Sequence, residues 1–148
     1  MSLANRPFLE DELIVNEAIL GRCNHRQWTK FNDKYHQQLL VCDECAEEFT
    51  YVEDTRSAEV PELSPDEFLR LAMRPYSQDE LLANLALRRI ESAGWRVLVT
   101  NQLDRFVCDL SFGTIAFKSQ PRPARAEAIC EAAALLARSG SFKPGAQA

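Results

Sequence analysis

Four residues with metal-binding side chains lie in one short stretch of this chain: Cys23, His25, Cys42 and Cys45. They read C-x-H, sixteen intervening residues, then C-x-x-C. Spacings of one and two residues let a tight turn aim both side chains of a pair at one point. Three thiolates and an imidazole are the donor set that tetrahedral zinc takes in sites that hold structure together. Such a site constrains the fold strongly, because the two pairs must meet whatever the intervening chain does. The expected cofactor is therefore a structural Zn2+ held by Cys23, His25, Cys42 and Cys45. A filled set leaves no open coordination position, so its expected role is folding energy and not catalysis. His36 is an alternative to His25 as the nitrogen ligand, and its polar loop setting favours a solvated surface histidine.

The surroundings read as a zinc-ribbon-like hairpin. Trp28 follows the first pair closely enough to cover it. Leu39, Leu40 and Val41 lead into Cys42 as a strand, and Phe49, Thr50, Tyr51 and Val52 are rich in β-formers. Ala46 stands where many ribbon knuckles carry glycine. The remaining cysteines, Cys108 and Cys130, sit in apolar patterns and are expected to be buried thiols. The odd count of five argues against a disulfide framework.

Upstream, residues 8–20 pattern as a helix with Leu9, Leu13, Ile14 and Ala18 on its apolar stripe, ending at Gly21. Residues 53–62 are polar, contain Pro61 and read as a linker. Two helix starts follow, at Ser64-Pro65-Asp66-Glu67 and Ser77-Gln78-Asp79-Glu80, each spelling a capping box with serine at the N-cap. The second helix runs to about Ala93, with Leu82, Leu85, Ala86 and Ala93 on one side and Gly94 as its stop. The period then changes to two. Trp95, Val97 and Val99, then Phe106, Cys108 and Leu110, then Ile115 and Phe117 alternate with polar residues as three strands. Their connections are too short for crossovers, so the pairing is antiparallel. Pro121 and Pro123 end the sheet. Residues 124–138 form an alanine-rich helix with Ile129, Cys130, Ala133, Leu136 and Ala137 inward and Gly140 as its stop. The last residues, 141–148, show no pattern and read as a flexible tail.

The fold expected is α+β: a zinc-ribbon-like N-terminal module with its leading helix (1–60), an α-β-β-β-α domain with a helix-covered antiparallel sheet (61–140), and the tail (141–148). No apolar run approaches the roughly 20 residues of a membrane span. The acidic N-terminus lacks a signal-peptide core, which points to the cytoplasm. Residues 1–60 hold six Lys and Arg against twelve Asp and Glu, while the remainder is nearly balanced. Neither half is a broadly basic surface for nucleic acid. The helix, three strands, helix order matches double-stranded RNA-binding domains, but the last helix opens with Arg125 and has only Arg122 and Lys118 nearby, without a lysine cluster. Arg88, Arg89 and Arg96 read as solvated surface charge. His-x-Glu with Pro-Cys-x-x-Cys, His-Glu-x-x-His and glycine-rich phosphate loops are all missing from the sequence, so no catalytic residues are expected.

Pro75-Tyr76-Ser77-Gln78-Asp79, Trp95 and the run Ala126-Glu127-Ala128-Ile129-Cys130-Glu131-Ala132-Ala133 together resemble the "ABA sandwich" domain of small bacteriophage proteins. Members of that family carry P-Y-S-T-D and A-x-x-I-C-R-A-A at these places; this chain departs at Gln78 and Glu131. The resemblance spans residues 75–137 and implies a phage or prophage protein working in bacterial cytoplasm, with no catalytic residues to carry over. The functional expectation is a small non-enzymatic zinc-binding protein, a phage accessory factor that binds and modulates a host protein. Nucleic-acid binding is the alternative.

Overall fold

The computed structural model describes residues 6–25, 27–32, 38–51 and 74–143. The architecture is α+β, with two small three-stranded antiparallel sheets in two compact units. The expected linker at 53–62, the capping box at Ser64 and His36 lie outside the described residues.

In the first unit, β1 (Trp28–Asn32), β2 (Gln38–Cys42) and β3 (Glu48–Tyr51) lie in that order. The register pairs Trp28 with Cys42 and Val41 with Glu48. A hairpin was expected here; β1 is the additional strand, and its mixed composition hid it. The hydrophobic core among the described residues of this unit is small. Leu40 is fully buried, with Trp28 and Phe49 packed against it.

The second unit gathers Arg6–Arg22 with Arg74 onward. This revises the expected boundary at residue 60, because the N-terminal helix belongs to the C-terminal unit. It comprises α1 (Leu9–Ile14), which runs into a π-helical segment, Val15–Ile19. α2 (Glu80–Ser92) and α3 (Arg125–Ser139) bracket β4 (Arg96–Gln102), β5 (Arg105–Phe112) and β6 (Ile115–Lys118), with sheet order β4-β5-β6. Val97 pairs with Leu110 and Leu110 with Phe117 across the inner face. Ile19, Tyr76, Ile90, Trp95, Cys108, Leu110, Ile129 and Leu136 form one core with them.

The N-terminal helix buries a face other than the expected stripe. Leu9, Glu12, Val15, Asn16 and Ile19 point inward, Leu13 and Ile14 are half-buried and Ala18 is exposed. Two inward positions are polar because the core supplies partners for them. Glu12, 1% exposed, accepts hydrogen bonds from Arg6 Nε at 3.2 Å and Nη2 at 3.0 Å, and from the Ser77 N–H and hydroxyl, each at 3.1 Å. Tyr76 donates its phenol proton to Asn16 Oδ1 at 2.7 Å. Burial pushes that phenol up to about 12. Hydrophobic periodicity cannot see a buried face built from such pairs.

The same network corrects the second helix start. Ser77 is engaged with Glu12, and the N-cap is Asp79, whose carboxylate accepts from the Leu81 and Leu82 N–H groups at 2.9 and 3.3 Å. The inward face of α2 is Ala83, Ala86, Leu87 and Ile90, with Leu85 exposed. Gly94 (φ +95°) then turns the chain tightly against Phe112: a Cβ there would stand 3.2 Å from that ring. The expected inner face of α3 is buried as read, save that Ala137 is only half-buried. Glu131 accepts from the Gln120 N–H and from Arg122, so its carboxylate is compensated at the core edge. The tail contributes Phe142 to the core, against the expectation of a patternless flexible end at 141–148. Residues 144–148 lie outside the described residues.

At the outer end of the β4–β5 hairpin, Leu103 and Asp104 form a two-residue turn with φ of +51° and +61°. Asn-Gly or Asp-Gly is the usual choice where both residues are left-handed.

Candidate metal centre

Each ligand is placed by a short stretch of backbone. Cys23 and His25 stand just before β1, and His25 takes a left-handed φ of +54° that turns its ring back toward Cys23. Its N–H donates to Cys23 Sγ at 3.3 Å. Cys42 ends β2, and Cys45 sits in the turn to β3. That turn is closed by Ala46 N–H to the Cys42 carbonyl at 2.9 Å and by Cys42 N–H to the Glu47 carbonyl at 3.0 Å. Ala46 holds the left-handed φ of +64° that favours glycine, so the knuckle forms with alanine at a strained position. Asp43 N–H bonds the Gln27 carbonyl at 2.9 Å, and Thr29 donates to the Asp43 carboxylate at 2.7 Å. These bonds tie the turn to the segment leading into and through β1, which brings the two ligand pairs together.

The donor atoms of Cys23, His25, Cys42 and Cys45 all lie within 4.8 Å of one another. Cys23 Sγ is 3.5 Å from Cys42 Sγ, and Cys45 Sγ is 3.4 Å from His25 Nδ1. A tetrahedral site with metal–sulfur bonds of about 2.3 Å has ligand–ligand edges of about 3.8 Å. The cluster is therefore already close to tetrahedral size and could hold a metal ion with only small shifts. His25 Nδ1 is the nitrogen turned toward the sulfurs. Its Nε2 lies 3.4 Å from the Glu47 carboxylate, and its ring meets Phe49 edge-on at 4.9 Å between centroids. A carboxylate on the far nitrogen of a ligating histidine fixes its tautomer and raises its basicity.

The thiols differ in character. Burial pushes the Cys23 thiol up to about 12. Burial also pushes the Cys42 thiol up, but hydrogen bonds from the Cys45 N–H, the His25 ring and the Glu44 N–H outweigh it and hold Cys42 near 6. A cation bound here would displace the protons that the thiols still hold. Proton release of this kind accompanies metal binding to thiol sites.

All four residues named from spacing meet at one point. Glu47 and Phe49, which orient the histidine, were not foreseen. Glu47 is one of four acidic residues between 43 and 48, and nothing in the sequence sets it apart. Cys108 and Cys130 are free, buried thiols of the second unit, as expected, and burial pushes both upward, Cys108 to about 12. Compared with models of protein families, with curated proteins and with solved structures, the chain matches none.

Proposed function

We propose that the cluster binds structural zinc and clasps a ribbon-like module, and that the protein is a non-enzymatic interaction factor whose acidic module engages a basic surface on a protein partner. The observation that carries this reading is the convergence of four donors of the Cys3His type within 4.8 Å. Thiolate and imidazole donors favour zinc over magnesium or calcium, which prefer oxygen. Four protein ligands complete a tetrahedron and leave no position for a substrate or water, so the ion serves as a cross-link.

The rim of the site supports the second half of the proposal. Asp43, Glu44, Glu47 and Glu48 are exposed around the β2–β3 turn. A rigid turn carrying carboxylates suits recognition of lysine- or arginine-rich surface and speeds encounter with it. The likeness of residues 75–137 to phage ABA sandwich domains leads us to read the protein as a phage accessory factor modulating a host protein in bacterial cytoplasm. Among the described residues no helix is long and apolar enough to cross a membrane.

Nucleic-acid binding is the second reading, favoured by the order of one helix, three antiparallel strands and a final helix. Against it, Arg125 at the start of α3 is engaged by Glu80 and Asn84, and Arg122 by Glu131. Metal analysis of purified protein, then capture from bacterial lysate over a salt series, tests the proposal. Stoichiometric zinc and a protein partner released by salt are expected. Zinc-free protein would defeat the clasp. Salt-sensitive retention of RNA or DNA without protein would favour the second reading.

A further inference from the structure

Two unusual features lie at opposite ends of the second unit's sheet. At one end Leu103 is 98% exposed on a turn whose two residues both take left-handed backbone. A leucine there carries strain that asparagine or glycine would avoid, and it shows water a whole apolar side chain. Strain retained at an exposed point is where a function is reasonably sought. Asp104 stands beside it, while Arg105 has already entered the ladder opposite Gln102.

At the other end is a cavity of about 380 Å³ lined by Ala93, Trp95, Phe112, Ile115, Ser141 and Lys143, among others. Phe112 and Ile115, paired across the β5–β6 turn, are 51% and 44% exposed at its mouth. Its walls are mainly aromatic and aliphatic, and its one charged lining residue is the exposed Lys143. Neither Asp104 nor Lys143 has an ion-pair partner among the described residues.

The length of β4 separates the two features, seven residues or about 23 Å. Leu103 therefore cannot reach the cavity of its own chain. We propose that it fills the cavity of a second copy, with Asp104 meeting that copy's Lys143. The two surfaces match in kind: an apolar side chain next to a carboxylate faces an apolar cavity next to an ammonium. Leucine and cavity are different surfaces, so the contact either repeats head to tail as a heterologous chain or ring, or is made twice in an isologous two-fold pair. It is small, and the association is correspondingly weak. It does not depend on the metal reading.

Sedimentation velocity on the full-length protein, over a series reaching about 1 mM, reads the contact in the range where weak association registers. The average mass should rise with concentration. In NMR spectra the Trp95 indole resonance should move with it. Leu103→Asn suits the left-handed turn, so the fold should keep or gain thermal stability while association weakens by about tenfold or more. Asp104→Lys and Lys143→Asp should each weaken association, and the two variants mixed should associate better than either alone through the restored opposite charges. A wild-type chain monomeric throughout the series would overturn the proposal. So would association unchanged in Leu103→Asn, or association that leaves the Trp95 resonance still.

Discussion

Replacing Glu12 with alanine should destabilise the second unit severely while leaving the metal in place. Glu12 is 1% exposed, and its two oxygens accept four hydrogen bonds: two from the Arg6 guanidinium, one from the Ser77 N–H and one from the Ser77 hydroxyl. The Arg6 side chain is itself only 8% exposed. Removing the carboxylate takes from the nearly buried Arg6 guanidinium the negative charge that Glu12 gives it, and leaves two buried Ser77 donors without this acceptor. Breaking a buried pair in this way costs about 3–5 kcal/mol. For a unit of under a hundred residues each kcal/mol moves the midpoint by about 4–8 °C, so a fall of about 12 °C or more is expected. Calorimetry or far-ultraviolet circular dichroism measures the midpoint, with zinc content followed on the same samples. Glu12→Gln keeps the shape and one acceptor oxygen and should cost less. The double variant Arg6→Met with Glu12→Leu removes both charges but leaves the Ser77 donors unpaired, so it should fall between wild type and Glu12→Ala. A loss under about 4 °C for Glu12→Ala would refute the argument that the pair is buried and interdependent. Loss of zinc along with the midpoint would refute the assignment of this helix to the unit without the metal.

Three further outcomes follow from the geometry. Cys42→Ser should abolish stoichiometric metal and unfold the β1–β3 sheet, whereas Cys108→Ser should keep the metal; equal loss in both variants, by elemental analysis, would show the ligand set to be wrong. Ala46→Gly relieves a left-handed φ of +64° in the knuckle and should stabilise that sheet by about 0.5–1 kcal/mol, read as slower metal loss to a chelator; faster loss would show the turn is not strained. Asp79→Ala removes the side-chain acceptor at the start of α2 and should cost about 1 kcal/mol by thermal unfolding, while Ser77→Ala should act through Glu12 and not through the helix cap.

The convergence of the four Cys and His side chains was legible because donor chemistry and spacing are local: two short pairs, each able to form a turn, name the residues without knowledge of the fold. The three strands of the second unit and its last helix were legible for a similar reason. Their apolar residues recur at the period of the element they form, and one face of each meets the core. What escaped was every feature whose cause lies elsewhere in the chain. Glu12 and Asn16 point inward because Arg6, Ser77 and Tyr76 complete their hydrogen bonds there, and two of those partners lie sixty or more residues away. Ser77 gave up the cap to Asp79 for the same reason. Glu47 gained meaning only when the β2–β3 turn brought it to the far nitrogen of His25. Composition and periodicity thus determine which elements form and which side chains can bind a metal. Tertiary structure alone decides where a buried charge finds its partner, because that energy depends on distance in space and not on separation along the chain.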